Sequence, residues 1–172
     1  MALLDIHLLG APILRTRSPE IDHFDETLRL LVADMFETME AAEGVGLAAN
    51  QVGLAMRVAV VGVEEDRLAL VNPVITHAEG RSRAEEGCLS IPELYGEVTR
   101  AERIVVRAVD PQGEPWEREA EGLLARAIQH EIDHLDGILF LDHLSMLKRQ
   151  MLQAKWRKEH KGKELVRRLR PA

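Results

Sequence analysis

One segment of the sequence has residue types and spacing that suit a metal ion. Residues 130–134 read His-Glu-Ile-Asp-His, which is the HExxH pattern. Residues four apart lie on one face of a helix, so His130 and His134 can bind the same ion. Glu131, the neighbour of the first histidine, can then reach a water at the ion without being a ligand. The pattern also arises by chance on amphipathic helices, so on its own it indicates a metal site without establishing one.

The third protein ligand decides the class of metal site. Metalloproteases with a third histidine six residues after the second are excluded, because Phe140 occupies that position. Proteases with a downstream glutamate would need Glu159 or Glu164, which both lie in a basic segment. Cys88, the only cysteine, remains as the candidate, although a lone cysteine is more often a small buried apolar residue. A Cys-His-His set leaves one tetrahedral position open to water, which is typical of catalytic sites, and it suits zinc or ferrous iron.

The segments around these residues predict the elements that must position them. The strongest helical pattern covers residues 121–136 and includes HExxH, with Gly137 placed to end it. An earlier helix is predicted from the apolar spacing between Leu28 and Met39, with Asp25 as its cap.

Strands are predicted where β-branched residues concentrate, and the last two flank a turn suited to a hairpin. Strands with short connections between long helices predict an α+β fold, with antiparallel strands packed around a central helix that bears HExxH and with a C-terminal helix. The predicted strands are 57–63, 68–75, 103–109 and 116–120.

Length and composition predict a single catalytic domain over residues 1–172. The content of 46% hydrophobic and 30% charged residues excludes a chain disordered throughout. No apolar run approaches the roughly 18 residues of a membrane span, and the first residues lack the basic start of a secretion signal. One cysteine cannot form an internal disulfide, so we expect a cytoplasmic protein.

The charges divide the chain into an acidic body and a basic tail. Residues 1–144 carry a net charge of −15, whereas residues 145–172 hold ten basic side chains against two glutamates. This concentration predicts contact with a polyanion, and a solvated helix face is the alternative. A helix is predicted from about Ser145, and its end is expected to fray after Trp156. The residues predicted to face inward from it are Leu144, Leu147, Met151 and Ala154.

Three segments stand in the order and approximate spacing of one enzyme family. They are GVGLAANQ (44–51), EGCLS (86–90) and QHEIDH (129–134), and the likeness covers nearly the whole chain. The sequence resembles the bacterial-type peptide deformylases, which remove the formyl group from the N-terminal formylmethionine of new polypeptides. The resemblance implies one divalent metal ion, Fe²⁺ in many members, with Zn²⁺, Ni²⁺ and Co²⁺ as alternatives. The implied ligands are Cys88, His130 and His134.

The resemblance also implies a role for each neighbouring residue. A metal ion lowers the pKa of its bound water, and the resulting hydroxide attacks the formyl carbon, with Glu131 as general base and then acid. The side chain of Gln51 and the backbone N–H of Leu89 would stabilise the developing oxyanion. A pocket for the methionine side chain is expected beside the metal. Arg126 borders it where an apolar residue would be expected, so the sequence does not predict the shape of this pocket. The residues expected to contact substrate are Val45, Gly46, Leu89, Leu123 and Ala127.

The implied partners are formylmethionyl nascent peptides and the ribosome, the latter through the basic C-terminal helix. No contact with DNA or a membrane is expected. Three alternatives remain open at this point: a zinc metallopeptidase of the HExxH type with an unrecognised third ligand, a Cys-His hydrolase with Cys88 as nucleophile, and a non-catalytic ribosome-associated protein with a structural metal.

Overall fold

The computed structural model describes residues 2–170, so both ends of the predicted 1–172 domain lie outside the described residues. Within that range the chain forms three α-helices and nine strands. The helices are α1 (Glu26–Ala41), α2 (Gly122–Leu135) and α3 (Met146–His160). The strands are β1 (Ile6–His7), β2 (Gly46–Ala48), β3 (Val58–Val63), β4 (Asp66–Glu79), β5 (Ser82–Cys88), β6 (Ile91–Arg100), β7 (Arg103–Val109), β8 (Pro115–Glu121) and β9 (Val166–Arg167). Their pairings are antiparallel, which confirms the predicted α+β class.

The largest sheet has the strand order β2-β3-β4-β7-β8 and is covered on both faces. Alternate residues of a strand point to opposite faces, and β3 is apolar on both. Val58 and Val60 pack with α1, whereas Ala59 and Val61 pack with α2. This double burial explains why the segment is an almost continuous apolar run rather than an alternating one.

The two predicted helices begin and end where their capping residues stand. The carboxylate of Asp25 accepts a hydrogen bond from the Leu28 N–H at 3.1 Å, which caps α1. Helix α2 is followed by Gly137 at φ 76°, a left-handed conformation that favours glycine. One face of α2 packs on the sheet through residues such as Ala125 and Ile128, leaving another face for HExxH.

A hairpin formed by β5 and β6 lies against α2 and was not predicted from the sequence. Arg126 of α2 donates hydrogen bonds to the carbonyls of Ser82 and Val98, one on each strand. The apolar residues of β6 pack with the 3-10 helix Phe140–His143 and with Trp156 of α3. The hairpin therefore brings Cys88, the last residue of β5, towards the helix that carries the histidines.

The C-terminal helix exists, but of the residues predicted to face inward only Leu144, which precedes the helix, packs on the apolar core. Leu147 and Met151 are 70% and 59% exposed, and Ala154 is also exposed, whereas Trp156 is buried. Leu147 and Trp156 are nine residues apart, which places them about 180° apart around a helix. Trp156 determines the orientation because its indole packs on the apolar cluster and its N–H donates to the Leu9 carbonyl at 3.0 Å.

The chain forms regular structure beyond Trp156, where the sequence predicts a helix end that frays. Helix α3 continues to His160, whose imidazole stacks on the Trp156 indole with ring centroids 3.5 Å apart. The chain then returns along the body, and β9 pairs antiparallel with β1. Within residues 2–170, no helix is both long and apolar enough to cross a membrane.

Candidate metal centre

The three predicted ligands lie together between α2 and the end of β5. Their donor atoms, Cys88 Sγ and one nitrogen from each of His130 and His134, all lie within 4.8 Å of one another. The two Nε2 atoms are 3.1 Å apart, and Cys88 Sγ is 3.2 Å from His134 Nε2. Residues far apart in the chain thus converge on one point.

These distances fit the donors of a single divalent ion. Metal–nitrogen bonds of about 2.0–2.1 Å and a metal–sulfur bond of about 2.3 Å place tetrahedral ligand atoms roughly 3.3–3.6 Å apart. The separations between the two Nε2 atoms and between Cys88 Sγ and His134 Nε2 are a few tenths of an ångström shorter, so small movements of the side chains accommodate the ion. One sulfur and two imidazole nitrogens also form the donor set that zinc and ferrous iron favour.

A buried ion-pair cluster orients His130. Its Nδ1 lies 2.9 Å from a Glu86 oxygen, which leaves Nε2 directed at the other ligands. The same carboxylate accepts hydrogen bonds from Arg100 at 2.9 Å and from Arg126 at 2.6 Å. Burial opposes ionisation of Glu86, but the hydrogen bonds from Arg100 and His130 hold its pKa well below the usual range. Glu86 is therefore a permanent acceptor for the imidazole.

The second histidine is held through the backbone of its helix. The side-chain amide of Asn50 donates to the His134 carbonyl at the end of α2. Arg100 reaches past Glu86 to Asp133 at 2.6 Å, which ties β6 to the same turn of the helix. Burial lowers the pKa of His134, which favours the neutral imidazole that binds a metal.

Glu131 points into the same site without an internal partner. It is 3% exposed, and its Oε1 is buried with no hydrogen-bond partner among the described residues. Burial raises the pKa of its carboxyl to about 7. A Cβ at Gly46 would collide with the other carboxylate oxygen, so the absence of a side chain there makes room for Glu131. The backbone at Gly46 therefore lies close to the Glu131 carboxylate, which a side chain at position 46 would prevent.

Gln51 is oriented with its amide nitrogen towards Cys88. Its oxygen accepts from the Ala48 N–H at 2.9 Å, which fixes the amide against a flip. The nitrogen donates to Ser90 Oγ at 3.0 Å and lies 3.6 Å from Cys88 Sγ. One N–H is thus engaged by the serine, and the other faces the metal site. The Leu89 N–H next to Cys88 makes no turn or loop hydrogen bond to a backbone carbonyl within residues 2–170.

A cavity of about 710 Å³ opens beside these groups. Its wall contains His130, Glu131, Gln51 and Cys88. Ala127 is buried, whereas Val45 and Leu123 are 43% and 54% exposed. Arg126 also lies at the wall, but its guanidinium is turned into the Glu86 cluster. All five predicted substrate contacts border this cavity: Val45, Gly46, Leu89, Leu123 and Ala127.

Comparison with known proteins decides the family. The model of the polypeptide deformylase family matches residues 3–150, which contain every group described above. The chain belongs to the polypeptide deformylase family. Deformylases are metal-dependent hydrolases, and the Cys-His-His cluster agrees with that chemistry.

Deformylases from several bacteria are similar to the chain over almost its full length. The peptide deformylase of Alkalilimnicola ehrlichii is 51% identical over 162 residues, which are 92% of this chain and 91% of the relative. The crystal structure from Legionella pneumophila superposes with a TM-score of 0.87 at 45% identity, covering 92% of this chain and 95% of that one. The structure from Ehrlichia chaffeensis in complex with actinonin gives a TM-score of 0.90 at 38% identity, covering 94% and 99%.

Sequence reasoning missed the residues that support the deformylase ligands. Glu86 stood in one of the diagnostic segments, yet no role was predicted for it. No local pattern in the sequence marks Arg100, because its side chain reaches Glu86 only when β5 pairs with β6. An available signal was that Glu86 precedes Cys88 by two residues on a strand, so the two share one face.

Proposed function

We propose that the chain removes the formyl group from the N-terminal formylmethionine of newly synthesised polypeptides and releases formate. The observation that supports this most strongly is the combination of groups at one cavity. Cys88, His130 and His134 form an open donor set, the buried Glu131 Oε1 has no hydrogen-bond partner among residues 2–170, and the Gln51 amide faces them. A structural metal site needs neither of the last two groups.

Each catalytic group has a task that its position suits. Cys88, His130 and His134 would hold a divalent ion, which would supply a Lewis acid and make water at the site more acidic. Glu131 takes the proton of the attacking water and later delivers it to the departing amine. Gln51 and the Leu89 N–H donate hydrogen bonds to the oxygen of the formyl group as negative charge develops on it.

The remaining assignments concern the methionine pocket, the identity of the ion and the place where the chain acts. The methionine side chain occupies the apolar part formed by Val45, Leu89, Leu123 and Ala127, with Gly46 at its edge. Fe²⁺ is the ion we propose first, because the family resemblance implies it. Zn²⁺, Ni²⁺ and Co²⁺ are alternatives, because a thiolate with two imidazoles can bind all four ions. The chain acts in the cytoplasm as a single catalytic domain.

Formate release from formyl-Met-Ala-Ser tests this function directly. Acetyl-Met-Ala-Ser is the matched control, because it differs only in the acyl group. We expect formate from the first peptide and no acetate from the second. Cleavage of an internal peptide bond in place of formate release would instead identify an HExxH metallopeptidase.

Cys88→Ser is expected to lower metal occupancy, because a hydroxyl replaces the thiolate that zinc and ferrous iron favour. Metal content per chain, measured after anaerobic purification, checks this, and formate release should fall in parallel. Ser90→Ala is the control for metal content alone, since Ser90 lies near Cys88 and contacts Gln51 but is not a proposed ligand. Wild-type occupancy in the Cys88 variant would show that Cys88 does not bind the metal.

We also propose that the basic tail contacts ribosomal RNA. The exposed face of α3 combines Leu147 and Met151 with lysines, and the excess of positive charge is confined to residues 145–172. Phosphate attraction accounts for such a concentration better than folding does, because these basic groups repel one another. Truncation after Ala154 is an unsuitable test, since it would remove buried Trp156 and β9.

Substitution of exposed lysines tests the tail without removing structure. Lys148, Lys155 and Lys158 are exposed on α3, and their joint replacement by alanine should weaken co-sedimentation with ribosomes. The dependence of log affinity on log salt should flatten by up to about 3 units, roughly one for each phosphate that the variant no longer neutralises. Turnover of short formyl peptides should stay unchanged.

A control with the same change in net charge separates the tail from the protein's overall charge. Three exposed arginines of the body are replaced by alanine in the control. Equal weakening of ribosome binding in both triple variants would show that the loss of net charge alone causes the effect. That result would reject the tail as the binding surface. The control residues are Arg81, Arg83 and Arg107.

A further inference from the structure

The rim of the substrate cavity is acidic except at one position. Glu43, Glu85 and Glu93 border it and are exposed. The cations in its wall are Arg126, which is engaged by Glu86, and Arg167, which comes from the C-terminal strand. Arg167 thus borders the cavity, although it is far along the chain from the predicted ligands.

Strand β9 is held firmly against the segments that form the site. Arg167 pairs with Ile6, a fully buried residue of β1. The Leu8 N–H donates to the Leu165 carbonyl and the Leu9 N–H to the Ser90 carbonyl, both at 2.9 Å. The backbone of the C-terminal strand is therefore connected through the N-terminal segment to the turn that follows Cys88.

Arg167 differs from its neighbour in having no internal charge partner. Arg168 pairs with Glu164 at 2.8 Å and lies 3.8 Å from Asp5. Within residues 2–170, Arg167 forms no ion pair, and its side chain is exposed at the cavity. Arg168 follows the last residue of β9 and is engaged by Glu164 and Asp5, whereas Arg167 borders the cavity. Of the two, only Arg167 has a guanidinium available to a molecule in the cavity.

We propose that Arg167 is a specificity-determining residue that binds a carboxylate of the substrate peptide downstream of the formylmethionine. This inference rests on the proposed deformylase function. A guanidinium matches a carboxylate through two parallel hydrogen bonds, and here it offsets the repulsion that the glutamate rim exerts on an anionic peptide. Because the pair is exposed, its effect is a change of roughly two- to five-fold in KM.

Peptide pairs that differ in one charge test the assignment. Formyl-Met-Ala, formyl-Met-Ala-Ala and formyl-Met-Ala-Ala-Ala are each assayed as the free acid and as the C-terminal amide, at low salt to limit screening. In Arg167→Ala, KM should rise roughly two- to five-fold for the free acid whose length places its carboxylate at Arg167. The KM of the matching amide should rise less. Arg167→Lys should restore most of the preference, and Arg167→Glu should reverse it.

Arg168→Ala is the control, because it removes the same charge from the next residue of the chain. Its ratio of free-acid KM to amide KM should equal that of the wild type. Two results would overturn the role of Arg167: a ratio of free-acid KM to amide KM that is the same in Arg167→Ala and the wild type, or an equal change of this ratio in Arg167→Ala and Arg168→Ala. In either case, formate release by the wild type would still support the deformylase function. No formate release from any peptide by the wild type would instead reject the function itself.

Discussion

Glu131→Gln is expected to lower formate release by about 10²–10⁴-fold while the metal content stays at the wild-type level. The substitution keeps the shape of the side chain and all three ligands, but it removes the group that accepts and returns a proton. The loss should appear in kcat, because the proton moves during the chemical step. Steady-state kinetics with formyl-Met-Ala-Ser, together with metal analysis of the same sample, measures both quantities.

The matched control is Glu119→Gln, an exposed glutamate on β8. It should leave kcat and metal content unchanged. Near-normal turnover in Glu131→Gln at full metal occupancy would refute the role of Glu131 as the proton carrier. Loss of metal from that variant would instead make Glu131 part of the metal site.

Gln51→Ala is expected to lower kcat by about 10²–10³-fold with little change in KM, which corresponds to removal of one oxyanion donor in a well-studied protease. The amide nitrogen faces the metal site, and its hydrogen bond to the formyl oxygen strengthens as charge develops. Kinetics on the series of formyl peptides separates the two parameters.

A second variant distinguishes the missing donor from disturbed packing, because Gln51 is almost fully buried. Gln51→Glu keeps the acceptor for the Ala48 N–H but lacks the donor, so it should be as impaired as the alanine variant. Melting temperatures of both variants report any structural damage. An effect confined to KM would make Gln51 a residue that positions the substrate in the ground state.

The local elements and the ligands were accessible from the sequence because their signals are short-range. Asp25 caps α1 and Gly137 follows α2 because those residue types satisfy helix ends wherever they stand. The three candidate ligands are predicted from the spacing of HExxH and from the segments typical of deformylases. Their convergence within 4.8 Å confirms that they can form one cluster.

The hairpin of β5 and β6 was missed because its buried side includes charged residues. Glu86 and Arg100 are buried within a network of ion pairs that also includes Arg126 and Asp133, and no apolar alternation marks β5. A carboxylate alone would not be placed inside a protein, since burying an unpaired charge is costly. The pairing depends on long-range contacts, which the local pattern does not contain.

The orientation of α3 was misjudged for a related reason. Leu147, Met151 and Ala154 form a helical stripe, but Trp156 on the opposite side packs on the apolar cluster and donates to the Leu9 carbonyl. The return of the chain to form β9 depends on the free edge of β1, which no property of residues 161–170 indicates. The position of Arg167 at the cavity could therefore be found only in the folded protein.

Formate release before and after metal removal tests most directly whether Cys88, His130 and His134 hold a catalytic ion. One anaerobic sample is assayed with formyl-Met-Ala-Ser as purified, after chelation and dialysis, and after addition of one equivalent of Fe²⁺. Activity should disappear with the metal and return with it, while Cys88→Ser should recover little. Full activity in a sample that contains no metal would contradict the assignment and identify Cys88 as a nucleophile instead.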